Sequence, residues 1–160
     1  MINRHFPQRH RMRWQNYDYT LGGAYFITIC TAFKKYYFGE IYHDKMTLSP
    51  IGEYCKMQWE QLTAHYPYAT VPLFVVMPNH VHAIVCVEKE ENKARHRPTL
   101  GIVVGGIKRE VSMFARHHGF DFGWQARYHD HIIRNSEDCN RVAEYIENNV
   151  ARWQQDCFYG

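Results

Sequence analysis

Apolar, aromatic and β-branched residues crowd into Ala24 to Thr31 (AYFITICT), directly after Gly22-Gly23, and predict a strand. Lys34 to Leu48 is less regular and predicts a short hairpin turning near Asp44-Lys45. Ser49-Pro50 marks a helix start, with serine as N-cap and proline in the first turn. Ile51, Tyr54, Cys55, Trp59 and Leu62 follow at helical spacing, so this helix buries one face. Val71 to Met77 and His80 to Val87 are apolar runs separated by Pro78-Asn79, both turn residues, and predict an antiparallel hairpin. Glu88 to Pro98 (EKEENKARHRP) is charged and polar, and is expected to be a mobile connection. Val103, Ile107, Val111 and Phe114 mark a further helix in spite of Gly105-Gly106, with Gly119 as its end. Tyr128 to Arg134 (YHDHIIR) predicts a strand. Ser136-Glu137-Asp138 opens the last helix, with serine as N-cap and acids in the first turn, and that helix runs to about Asn149.

These elements sum to an α+β fold. It is an antiparallel sheet of four to five strands with two to three helices packed on it, of the ferredoxin-like kind. The 160 residues suffice for one domain with a real core. The order of strands is not readable from the pattern.

Charge changes the picture mainly through its distribution. The net charge is +3, which permits a polyanionic partner without demanding one. Arg4, Arg9, Arg11 and Arg13 face a single acid, Asp18, in a basic arm over residues 1–18. Such an arm either contacts phosphates or is a solvated tail. Aromatics make up 16% of the chain, enough to serve as core and as stacking platforms for unpaired bases. Five cysteines occur without a C-x-x-C pair, which argues against a zinc-finger arrangement and for free thiols in a reducing cytosol. No apolar run reaches eighteen residues and the N-terminus lacks an apolar signal stretch, so a cytoplasmic protein without membrane spans is expected.

His80-Val81-His82 is the sharpest chemical signal. Residues i and i+2 of a strand share a face, so both imidazoles can bind one divalent metal while Val81 points into the core. The same pattern also suits two exposed or hydrogen-bonded histidines at a strand start. Other H-x-H proteins fit less well: barrel hydrolases need more chain, and the histidine-triad pattern would need a third histidine where Ile84 stands. His129-Asp130-His131 repeats the spacing, but its central acid does not suit a core-facing position. On the last helix, Cys139, Val142, Ala143, Ile146 and Val150 form the apolar stripe. Tyr145 and Asn149, at i and i+4, lie together on its flank.

Taken in order, these segments resemble the HUH single-tyrosine transposases. Val75-Val76-Met77-Pro78-Asn79-His80-Val81-His82 resembles the HUH segment of that family. Trp124-Gln125, His131-x-Ile133-Arg134-Asn135 and Tyr145-Ile146-Glu147-Asn148-Asn149 resemble its C-terminal region. The resemblance runs from about Tyr17 to Trp153 and is nearest to the REP-associated tyrosine transposases and the insertion-sequence transposases. It implies an RRM-like sheet, a metal held by His80 and His82, Tyr145 as nucleophile and Asn149 as third ligand. In the mobile-element branch of the family that last position is commonly glutamine. The implied cofactor is Mg²⁺ or Mn²⁺, and the implied substrate is single-stranded DNA carrying hairpins. The implied reaction is nicking and strand transfer through a 5′-phosphotyrosine. Lys34, Lys35, Lys108 and Arg109 join the arm as candidates for phosphate contacts, with His131 as a supporting residue. Monomer and homodimer are both open. Two other readings remain: a non-cleaving module, derived from a transposase, that binds hairpin DNA or RNA, and a metal-dependent phosphodiesterase that uses water in place of tyrosine.

Overall fold

The computed structural model of this chain describes residues 23–88 and 100–159. The arm with Arg4, Arg9, Arg11 and Arg13, and most of the Glu88–Pro98 connection, lie outside the described residues. Six strands are present among them: β1 (Ala24–Cys30), β2 (Gly39–Tyr42), β3 (Lys45–Leu48), β4 (Ala69–Val76), β5 (His80–Val87) and β6 (His129–Ile132). The helices are α1 (Pro50–Glu60), a single turn α2 (Leu62–His65), α3 (Leu100–His117) and α4 (Ser136–Asn148).

Four strands form the main sheet in the order β4-β5-β1-β6, every neighbour antiparallel. With α1 leading into β4 and α3 into β6, this is the ferredoxin-like arrangement, to which α4 is added. Strands β2 and β3 pair separately, as a hairpin turned through His43 and Asp44 at φ 51° and 58°. Two successive left-handed residues match the twist of a tight two-residue hairpin, so the turn falls one residue earlier than the pattern predicts. Pro72 sits where the β4–β5 register shifts between Thr70 and Leu73, on an edge strand that tolerates its missing N–H.

The alternation of side chains sorts the sheet into two layers. Ile27, Ile29, Val81, Ala83 and Val85 face α1 and α3, packing with Trp59, Cys55, Val103, Ile107 and Val111. Ala24 and Ile84 face the opposite way, against Cys139, Val142, Ala143 and Ile146 of α4. Ser49 caps α1 as expected, its Oγ accepting from Gly52 N at 3.1 Å. Gly52 itself is required by close approach, since a Cβ there would lie 2.1 Å from the Phe38 carbonyl oxygen. The α4 cap differs from expectation. Asn135, not Ser136, takes the position, its Oδ1 accepting from Asp138 N at 2.8 Å. Both residue types cap well, and the extended backbone of Asn135 decides between them.

Candidate active site

His80 and His82 lie on β5 facing the α4 side of the sheet, 0% and 1% exposed, with Val81 in the opposite layer. Their ring centroids are 4.5 Å apart. The neighbours fix which nitrogen is bare. Asn79 Nδ2 donates to the carbonyls of Lys34 (3.3 Å) and Phe158 (2.7 Å), so its Oδ1 faces His80 Nδ1 at 2.7 Å as acceptor. His80 therefore carries its proton on Nδ1 and leaves the Nε2 lone pair free. His82 Nδ1 lies 2.8 Å from Thr28 Oγ1 and near the Ile27 backbone, which again directs Nε2 toward the site. Burial pushes the pKa of both imidazoles down to about 3, with the Asn149 side chain opposing at His80. At His82 the adjacent His80 adds to the fall. Both are neutral at physiological pH, the form that ligates metal.

The last helix supplies the other groups. Its apolar stripe rests on the sheet, and this rotation brings Tyr145 and Asn149 to the histidine pair. The Tyr145 ring, 42% exposed, meets His82 edge-on at 5.2 Å and Phe26 at 6.1 Å. Asn149 is buried, and its Nδ2 donates to Asp156 Oδ2 at 2.7 Å. The Tyr145 hydroxyl donates to the same oxygen across a longer 3.5 Å. Burial, then the charge of Asp156, pushes the Tyr145 hydroxyl up to about 12.

Asp156 was not legible in the sequence. It follows a short 3-10 turn (Trp153–Gln155) in a segment without helical or strand period. Its only signal is that no other acid occurs after Glu147. Ligand atoms of His80, His82 and Asp156 all lie within 4.8 Å of one another. The same segment roofs the pair: Phe158 packs 4.4 Å from the His80 ring, and Trp153 lies 6.0 Å from it. Beside the roof, a cleft of about 220 Å³ is lined by Tyr145, Asn148, Asn149, Arg152, Gln155 and Asp156.

Among the described residues, three buried atoms here have no hydrogen-bond partner: His80 Nε2, His82 Nε2 and Asn149 Oδ1. An unpaired buried polar atom costs roughly 1–3 kcal/mol, so three converging on one point call for a ligand. All three are lone-pair donors, and a carboxylate stands beside them. That set fits a divalent cation with mixed nitrogen and oxygen ligands.

The remaining candidates scatter. Lys34 and Lys35 sit on the turn after β1, where Asn79 holds the Lys34 carbonyl, and Lys35 lies 3.9 Å from Asp121. Lys108 and Arg109 are on α3, in the layer across the sheet from the histidines. Lys108 Nζ donates to the Gln125 carbonyl at 2.8 Å, and Arg109 lies 3.9 Å from Glu110. The structure thus separates these two from the site, because the periodicity that defines α3 gives no information about which sheet face it covers. His131 is exposed on β6, and its Nε2 lies 2.7 Å from Asp138 Oδ2. It braces the first turn of α4 and does not line the cleft. Trp124 belongs to an aromatic cluster with Phe38 and Phe122 and donates to the Lys108 carbonyl, a structural placement.

No family model matches the chain. An uncharacterized protein of Haemophilus influenzae is 35% identical over 167 residues, covering 94% of this chain and 93% of its own length. A second H. influenzae protein, provisionally named a REP-associated tyrosine transposase, is 24% identical over 145 residues, covering 84% of this chain and 74% of its own. The solved structure of a REP-associated tyrosine transposase bound to a REP hairpin superposes with a TM-score of 0.56 at 20% identity, over 82% of this chain and 68% of that one. The chain is similar in sequence to a REP-associated tyrosine transposase and shares the fold of another. A Deinococcus radiodurans protein provisionally named a transposase shares the fold at a TM-score of 0.50 and 14% identity, over 79% of this chain and 90% of that one. Among the described residues, no helix is long and apolar enough to cross a membrane.

Proposed function

We propose that this protein nicks and rejoins single-stranded DNA next to hairpins, with Tyr145 as nucleophile and a divalent cation, Mg²⁺ or Mn²⁺, held by His80, His82 and Asn149. The observation that carries the reading is the convergence of three unpaired buried donor atoms beside a tyrosine ring 5.2 Å from His82. The hairpin is inferred from the solved relative bound to a REP hairpin.

When bound, the cation supplies Lewis acidity to the scissile phosphate and offsets the negative charge of the in-line transition state. Tyr145 Oη attacks phosphorus, the 3′ oxygen leaves, and the phenolic proton ends on that oxygen as a free 3′-OH. The phosphotyrosine conserves the phosphodiester energy, so a second 3′-OH reverses the step and joins different ends. Asp156 Oδ2 is the acceptor facing the Tyr145 hydroxyl. Its charge opposes phenolate formation in the metal-free site. A cation held by this donor set would offset that charge, and metal loading would then be coupled to tyrosine ionisation. Arg152, in the wall of the Tyr145 cleft, is placed to hold a non-bridging phosphate oxygen.

The complete burial of both imidazoles beneath Phe158 and Trp153 favours one second reading, a hairpin-binding module that does not cut. End analysis of the products separates the readings. Cleavage by Tyr145 gives a 3′-OH that a polymerase extends and a 5′ end blocked by protein. Hydrolysis by water leaves a free 5′-phosphate, and a binding module leaves the strand intact.

A further inference from the structure

The turn that follows β1 presents an aromatic ring to solvent. Phe33 is 88% exposed, more than any other large hydrophobic side chain among the described residues. Phe33 and Lys34 both have φ 55°, the left-handed region that residues bearing a Cβ avoid. A set of hydrogen bonds imposes this shape. Thr31 N donates to the Asn79 carbonyl at 2.9 Å, and Ala32 N donates to the Gly123 carbonyl at 2.8 Å. Thr31 Oγ1 faces the carbonyls of Lys35 (2.7 Å) and Asn79 (3.0 Å), and Asn79 Nδ2 reaches the Lys34 carbonyl at 3.3 Å. Asn79 also fixes the His80 ring, so one side chain braces both the turn and the histidine pair. The Lys34 ammonium opposes the rise in pKa at the Cys30 and Cys157 thiols, so its charge is felt at the end of β1 and in the C-terminal segment that also carries Asp156.

Folding alone gives no reason to hold a phenyl ring in water on a disfavoured backbone. A planar apolar face next to a lysine, on a turn that Asn79 ties to the histidine pair, is the combination that binds unpaired nucleotides, by stacking on the base and attracting the phosphate. We infer that Phe33 stacks on an unpaired base of the strand flanking the hairpin, with Lys34 against the neighbouring phosphate. This rests on the proposed function and adds to it the place where the single-stranded flank is held. Phe33 contributes nothing to the metal donor set or to the nucleophile.

The test compares wild type, Phe33→Ala and Phe33→Trp, each with the same hairpin oligonucleotide with and without a short single-stranded flank. The flank carries 2-aminopurine, whose fluorescence is quenched on stacking. The wild type is expected to quench the probe and to prefer the flanked hairpin about ten-fold. Phe33→Ala loses quenching and preference yet binds the flankless hairpin as the wild type does, which also reports that it is folded. Phe33→Trp keeps both. Retained quenching and preference in Phe33→Ala overturns the inference. So does self-association that disappears in Phe33→Ala while DNA binding is unchanged, since the ring would then meet a second copy. A wild type that forms a metal-dependent adduct but ignores the flank refutes the stacking role and leaves the proposed function standing. A wild type that binds neither hairpin and forms no adduct refutes the proposed function, and the inference falls with it.

Discussion

Replacing His82 by phenylalanine separates a ligand from a structural ring. The His82 ring is surrounded by Phe26 at 5.2 Å, Tyr145 at 5.2 Å and Phe158 at 5.9 Å, so a phenyl ring fits the same aromatic box. The exchange removes the unpaired Nε2, relieving roughly 1–3 kcal/mol of unmet hydrogen bonding. It also deprives Thr28 Oγ1 of its partner, at a cost of about 0.5–1.5 kcal/mol. The metal-free variant should therefore match the wild type or exceed it by about 1 kcal/mol, although core substitutions usually destabilise by about that much. Cation binding reverses the ranking. At one hundred times its dissociation constant, a cation stabilises the wild type by about 2.7 kcal/mol. For a chain of this length that is a rise in melting temperature of roughly 5–10 °C. The variant, with one imidazole gone, should show a small fraction of that rise. Calorimetry with EDTA and then with excess Mn²⁺ reads both numbers. A metal-free variant more than about 2 kcal/mol below the wild type, or an undiminished response to Mn²⁺, would refute the argument from unpaired donors.

Both histidines have folded pKa values near 3 against an ordinary 6.5. Between those values the unfolded chain binds protons that the folded chain refuses. Metal-free stability is thus fully present above pH 6.5 and falls as the pH drops toward 3, more steeply in the wild type than in His82→Phe; equal slopes in chemical denaturation would contradict this. Lys34→Ala should lower the slope of log affinity against log salt by about one, whereas Lys108→Ala with Arg109→Ala should leave it unchanged, and titrations at several salt concentrations decide. Arg152→Ala should slow nicking on the order of ten- to hundred-fold with hairpin affinity nearly intact, as measured by single-turnover cleavage; an unchanged rate would remove Arg152 from the site.

Much of this was legible along the chain where a period exists. The alternation through His80, Val81 and His82 and the stripe through Cys139, Val142 and Ile146 put Tyr145 and Asn149 on the flank that faces the histidine pair, because period and burial agree in those elements. The strand order was not legible, since antiparallel neighbours such as Ala24 and Cys86 are joined by no local signal. The sheet face that α3 covers was equally unreadable, which is why Lys108 and Arg109 stood as candidates although they lie across the sheet from the histidines. Asp156 escaped because a 3-10 turn carries no pattern, and its role depends on a fold-back of the chain onto Asn79 through the Phe158 carbonyl. Phe33 escaped because left-handed backbone is expected at glycine or asparagine, not at phenylalanine. Asn135 displaced Ser136 as a cap by a single residue, within the resolution of any pattern of adjacent capping types.

The central claim is that Tyr145 becomes joined to DNA in a reaction that needs the cation. The most direct measurement is a denaturing gel of wild type and Tyr145→Phe with labelled single-stranded hairpin pools and Mn²⁺, beside a native binding assay of the same mixtures. A protein–DNA band that appears only with wild type and vanishes in EDTA, while both proteins bind equally, is the predicted result. Equal adducts from both proteins, or tight binding by both with no adduct from either across the pools, would contradict it.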